Sequence, residues 1–116
     1  MSQQQYDLVV IGGGPAGVTA ALRARELGAS VALVERGRPG GTCTNDGCVP
    51  TRVLARAARL MRETRQLGEY GLIGSEPRVD MAAVMDRVQE KIDQVHAKKD
   101  LRGHLDRSGA RAIVGA

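Results

Sequence analysis

The sequence predicts an α/β domain built on a parallel sheet, and its apolar patterning carries that prediction. Residues 6–11 and 30–35 each contain an unbroken apolar run, without the alternation of a half-solvated strand. Between them Ala16, Ala20, Ala21, Ala24 and Leu27 recur at helical spacing, so residues 6–35 read strand, helix, strand. A third short run, residues 110–116, closes the chain as another strand. With 116 residues, 42% of them hydrophobic and none of them Phe or Trp, the core is expected to be aliphatic and small.

The elements follow in order. The first strand is expected to be buried on both faces, and it passes directly into Gly12, Gly13 and Gly14. Pro15 suits the first turn of a helix over residues 15–27, which Gly28 stops. Glu35 closes the second strand. Residues 36–47, rich in Gly, Pro, Thr and Asn, read as a loop that carries Cys43, with Cys48 at its end. A second helix is expected from about Pro50 to about Leu67, with Val53, Leu54, Ala57, Leu60 and Met61 on its buried side and Arg52, Arg56, Arg59, Arg62 and Arg65 around the other. A linker over residues 68–79 leads to Asp80, which reads as the N-cap of a long helix with Val84, Val88, Ile92 and Val95 one turn apart. Gly103 is expected to bend or interrupt that helix. Three strands beside two long helices leave apolar sheet edges without neighbours, so the chain reads as a fragment.

Composition narrows the function. The net charge of +4 is modest, its basic residues lie mostly on one predicted helix, and no aromatics are interleaved with them to stack on bases, so nucleic acid is not the expected partner. No apolar run approaches the ~20 residues of a membrane span, and the polar start lacks the regions of a signal peptide. A cytoplasmic protein is expected. Two cysteines are too few for a disulfide scaffold, which makes their spacing the question.

Gly12-Gly13-Gly14-Pro15-Ala16-Gly17 is G-x-G-x-x-G between a strand and a helix, the context of a dinucleotide fingerprint. Gly12 permits the tight turn, Gly14 lets the backbone approach a pyrophosphate, and Gly17 lets helix and strand pack closely. The helix N-terminus offers free N–H groups to the phosphates. Glu35, at the end of the second strand, is placed to accept hydrogen bonds from an adenosine ribose. These residues point to an ADP-containing dinucleotide.

In Gly40-Gly41-Thr42-Cys43-Thr44-Asn45-Asp46-Gly47-Cys48-Val49-Pro50, four residues separate the cysteines, close enough for a disulfide across a helix start. The helix field and Arg52 are expected to lower the pKa of Cys48 and favour its thiolate. The pair fits two-electron disulfide exchange, but also two small buried side chains or half of a metal site. His96 and His104 alone could complete a metal set, and they lie on a different helix, where each is expected to be solvated. No metal is expected.

The fingerprint, Glu35 and the Gly-Gly-Thr-Cys-x-x-x-x-Gly-Cys-x-Pro segment together resemble the N-terminal FAD-binding part of the class I pyridine nucleotide-disulfide oxidoreductases, the family of dihydrolipoamide dehydrogenase, mercuric reductase and glutathione reductase. The resemblance covers essentially the whole chain. It implies a Rossmann-like FAD/NAD(P)-binding domain with an incomplete parallel sheet and a long helical insertion. Residues 1–116 would be the N-terminal part of the FAD-binding domain, without the NAD(P)-binding and C-terminal dimerisation domains.

The resemblance also implies roles. Cys43 would be the interchange thiol, and Cys48 the thiol that faces the flavin and forms the charge-transfer complex. Gly41 and Thr42 would line the FAD phosphates with Gly12, Gly14, Pro15, Ala16 and Gly17; Glu35 would meet the adenosine ribose, and Gly115 and Ala116 would offer main chain near the adenine. Arg36 and Arg52 complete the cofactor-binding set. The family usually reads Cys-Val-Pro-Ser-Lys, whereas here Val49-Pro50 is followed by Thr51-Arg52, which replaces a compact point charge by a planar fork near the flavin. NAD(P)H would reduce FAD, FAD would reduce the Cys43–Cys48 disulfide, and the dithiol would reduce a lipoamide-like disulfide or Hg(II), in a homodimeric parent; with a dithiol substrate such as dihydrolipoamide the sequence would run the other way. The competing readings are a non-catalytic dinucleotide-binding module, or truncated product, and a redox switch that holds a nucleotide only structurally.

Overall fold

Three parallel strands set the frame: β1 (Leu8–Ile11), β2 (Val31–Glu35) and β3 (Arg111–Val114), in the order β1-β2-β3, with Val10 opposite Leu33 and Leu33 opposite Ala112. This architecture comes from a computed structural model that describes residues 3–115. The chain is α/β, as its patterning predicts. Between β1 and β2 runs α1 (Pro15–Glu26), which Pro15 opens and Gly28, at φ +90°, ends. Side chains alternate across a strand, and Val10, Val31, Leu33 and Ala112 present one face of the sheet to α1 and to α5 (Leu101–Ser108). Val18, Ala21, Leu105 and Ala110 complete that core. Arg25 ties the layers by donating to the carbonyls of Ala29 at 2.6 Å and Ser108 at 3.0 Å.

The expected burial of the first strand on both faces does not hold. Val9 is 53% and Ile11 87% exposed. The cause is position: β1 stands at the sheet edge, and α1 and α5 cover the face that Val10 shares. The central strand β2 is the one whose first three residues are all buried.

The loop expected over residues 36–47 contains a short helix, α2 (Gly41–Asn45), which carries Cys43. The second helix, α3 (Cys48–Thr64), starts at Cys48 itself rather than near Pro50, because a proline is compatible with the first turn of a helix and does not have to begin it. A 3-10 turn over Leu67–Tyr70 follows. The side of α3 expected to be buried is half-buried at Val53, Ala57 and Met61 and exposed at Leu54 and Leu60, since α3 packs chiefly along one helix, α4 (Met81–Lys99). The Asp80 side chain caps α4 by accepting from the Ala83 N–H at 3.0 Å. The helical pair extends the molecule to 70 × 28 × 18 Å.

The break between α4 and α5 falls at Asp100 rather than at Gly103. Asp100 takes the left-handed conformation at φ +42°, which Asp tolerates better than most residues, and its carboxylate accepts from the Gly103 N–H and from Arg107. Gly103 leaves room for that carboxylate, which a Cβ there would strike.

Candidate functional site

The fingerprint turn has the geometry that its glycines predict. Gly12 sits at φ +104°, and Gly17 packs so closely beneath it that a Cβ would collide with the Gly12 carbonyl oxygen. Gly14 caps α1 without any side-chain hydrogen bond, and no acid occupies the first turn, where Pro15 and Ala16 are exposed. The N-terminal N–H groups of α1 are therefore open to an anion.

The cysteine segment is docked onto this turn through glycine. The Gly40 N–H donates to the Gly13 carbonyl at 2.8 Å, and Gly41, at φ +73°, lies so near the turn that a Cβ would stand 3.1 Å from both Gly14 Cα and Pro15 Cδ. The close approach starts α2 beside α1. The cleft that results, about 680 Å³, is lined by Gly12, Glu35, Arg36, Gly41, Thr42 and Asp46 among others. That volume is typical of a small-molecule or cofactor site.

Glu35 closes one side of the cleft. Its carboxylate accepts from the Gly37 N–H at 2.9 Å and the Gly13 N–H at 2.6 Å, and these two bonds hold its pKa below the usual carboxylate range. Gly13 lets the acid approach closely, since a Cβ there would stand 3.1 Å from Glu35 Oε2 and the side chain would have to give way. The Gly115 N–H donates to the Glu35 carbonyl at 2.8 Å, which brings the end of β3 beside the same acid. Ala116 lies outside the described residues.

Cys43 and Cys48 are free, exposed thiols, near enough that the first influences the ionisation of the second. Cys48 opens α3, and Arg52 stands one turn further along. The expected lowering of the Cys48 pKa is reversed. The neighbouring Cys43 side chain pushes it above the ordinary thiol range, partial desolvation and the charge of Cys43 add to that, and together they outweigh the opposite pulls of its own backbone and of Arg52. Two neighbouring thiols make the second ionisation costly, because it places two like charges side by side.

The sequence reading passes over two residues of this site. Asn45, on α2 between the cysteines, donates from Nδ2 to the Arg38 carbonyl at 2.9 Å, and its Oδ1 lies 2.7 Å from Nε2 of His96 on α4. His96 is half-buried, not solvated as expected, and burial, with Arg38 and Lys99 nearby, lowers its pKa against the pull of Asp93. His104 is exposed, as expected. No signal in the sequence joins positions 45 and 96, but an Asn between two cysteines in a Gly-rich segment could have been singled out as a turn residue that bonds backbone. Among the described residues no group of three His, Cys, Asp or Glu could hold a metal, and no helix is long and apolar enough to cross a membrane.

The fold and site thus define a Rossmann-like unit with two cysteines docked beside its glycine turn. Comparison with known proteins narrows this class. The model of the pyridine nucleotide-disulphide oxidoreductase family matches residues 6–113, and the chain belongs to that family. It is 45% identical over 85 residues to a dihydrolipoyl dehydrogenase of Zymomonas mobilis, covering 73% of this chain and 18% of that protein. A mercuric reductase of Lysinibacillus sphaericus is 35% identical over 99 residues, covering 85% of this chain and 18% of the relative. A dihydrolipoyl dehydrogenase of Bacillus subtilis is 37% identical over 93 residues, covering 80% and 20%. The chain spans about a fifth of the length of these relatives.

Proposed function

We propose that the chain forms the FAD-binding part of a flavin-dependent oxidoreductase in which electrons from NAD(P)H reach a Cys43–Cys48 disulfide and then a small disulfide or Hg(II). The observation that carries this reading is the pair of free thiols on a segment that Gly40 and Gly41 fasten to the fingerprint turn. The residues fit FAD. The uncapped start of α1 and the glycine backbone suit a pyrophosphate, and Glu35 with Arg36 lines the part of the cleft suited to the adenosine. Bound FAD supplies two-electron chemistry between the nicotinamide and the disulfide.

The chain's own part is thiol–disulfide exchange. Reduction of the Cys43–Cys48 bond takes two electrons and two protons and leaves two thiols. The Cys43 thiolate attacks one sulfur of the substrate disulfide and expels the other as a thiolate. Cys48 then attacks Cys43 in the mixed disulfide, reforming the internal bond and releasing the reduced substrate. Arg52, one turn from Cys48, favours the anion that this second attack needs, against the opposing effect of Cys43. A dithiol with this spacing also suits a soft thiophilic cation, so Hg(II) belongs to the same proposal. So do the homodimeric parent, the cytoplasmic setting and the assignment of residues 1–116 to the N-terminal part of the FAD domain.

The test is to incubate the chain with FAD, remove free flavin and record the visible spectrum during anaerobic two-electron reduction. Bound flavin that gains long-wavelength absorbance in the wild type and in Cys43→Ser, but not in Cys48→Ser, is the expected result. Absorbance retained in Cys48→Ser overturns the assignment of Cys48, and absence of bound flavin overturns FAD binding by this chain.

A further inference from the structure

The inference concerns the side chains that α4 sends toward the cysteine segment, and it deepens the reading above, on which it rests for the role of the two thiols. Three contacts cross from α4 to residues 38–45. His96 meets Asn45 at 2.7 Å, the Lys99 ammonium donates to Thr44 Oγ1 at 3.2 Å, and Arg38 pairs with Asp93 at 2.6 Å. Thr44, next to Cys43, is the most deeply buried polar side chain of the described residues, at 1% exposure. The imidazole also lies flush on the backbone, for a Cβ at Gly40 would stand 2.9 Å from His96 Cε1.

The Asn45 bonds fix the proton on His96. The Arg38 carbonyl can only accept, so the Asn45 amide must turn Nδ2 toward it and present Oδ1 to the imidazole. An amide oxygen can only accept as well. Nε2 of His96 must therefore carry hydrogen and donate it, which makes the neutral ring the Nε2–H tautomer. Asn45 is thereby braced from both sides, and it stands within the segment whose two ends are the reacting sulfurs.

We propose that His96 is a positioning residue for the Cys43–Cys48 couple: by donating from Nε2 to Asn45 it holds the intervening segment in the conformation that keeps the two cysteines within reach of each other. The bonds from Asp46 N–H at 2.9 Å and Gly47 N–H at 2.7 Å to the Thr42 carbonyl are internal to the segment. They shape the turn but do not anchor it to the helical pair. His96 supplies the shorter of the two anchors from α4, the other being Lys99 at Thr44 Oγ1.

The closing of the disulfide is the readout. Oxidation forms one Sγ–Sγ bond and removes two protons and two electrons, which oxidised dithiothreitol takes up as it opens to its dithiol. The full chain, without flavin, is equilibrated in mixtures of oxidised and reduced dithiothreitol, and the two forms are counted by alkylation and mass. His96→Ala releases the segment and weakens the disulfide by about fivefold, the worth of one lost hydrogen bond. His96→Gln, which retains an N–H donor, returns the equilibrium to within about twofold of wild type. Equal equilibria in wild type and His96→Ala overturn the proposal, even where the melting temperature falls. Should His96→Ala fail to fold, nitrogen NMR of the wild-type dithiol decides: a proton on Nε2 of His96 supports the proposal and a proton on Nδ1 overturns it. Because no flavin is present, a His96 effect in a chain that binds no FAD supports the positioning role while overturning the flavin reading, and FAD binding with unaltered equilibria does the reverse.

Discussion

The sheet end of the molecule buries Leu33 and Leu105 completely, whereas in the α3–α4 pair Val88 and Ile92 are the buried apolar side chains, both supplied by α4. One end is a core between a sheet and two helices; the other is two helices leaning on each other. The site stands where they meet. The fingerprint turn grows out of the packed end, and Cys48 opens the helix of the less packed one. Glycine joins them on one side, at Gly40 and Gly41, and α4 joins them on the other, through His96 and Lys99. The difference teaches that the geometry of the fingerprint turn is inherited from the core, while the placement of the cysteine pair depends on a small number of polar contacts and close backbone approaches.

The contrast is broken most sharply by truncating one leucine at each end. Leu105→Ala empties a site with no solvent exposure and is expected to cost about 2–5 kcal/mol in urea unfolding. Leu60→Ala, on α3 at 46% exposure, is expected to cost less than ~1 kcal/mol. Equal losses would contradict the division into a packed and a leaning end.

A smaller effect comes from the acid that clasps the turn. Glu35 has its pKa lowered in the folded chain by the Gly37 and Gly13 N–H groups. Its contribution to stability is therefore complete above the ordinary carboxylate pKa and is lost as pH falls through the depressed folded value. Glu35→Gln removes this acid-side loss, so denaturation measured from neutral pH downward should be flatter in the variant. Parallel curves for the two proteins would show that the carboxylate bonds to the turn add nothing.

Much of this architecture was legible because it is local. The strand, helix, strand order and the roles of Gly12 and Gly17 depend on neighbours within a few positions, and the structure has them where the pattern puts them. The Asp80 cap was legible for the same reason. What escaped was set by distant partners. Ile11 reads as a core residue, yet its exposure depends on which strands pair with β1. Helix α2 is short and rich in residues of low helix propensity, and it forms where Gly40 and Gly41 dock on the turn. His96 reads as a polar helix residue, and its contact spans 51 positions. The raised pKa of Cys48 escaped because spacing shows the helix field and Arg52 but not the influence of the neighbouring Cys43 thiol.

Gly41 is where the two ends and the two chemistries touch, and one variant there tests whether they form a single site. In Gly41→Ala the new Cβ meets Gly14 and Pro15 and must adopt a left-handed conformation, so the docking of α2 loosens. FAD affinity and the dithiothreitol equilibrium of Cys43–Cys48 are then measured on the same preparation. Both should weaken, each by about tenfold, as expected for strain of ~1–2 kcal/mol at one left-handed residue. A loss of FAD affinity with a wild-type thiol equilibrium would show that the phosphate turn and the cysteine pair are independent neighbours.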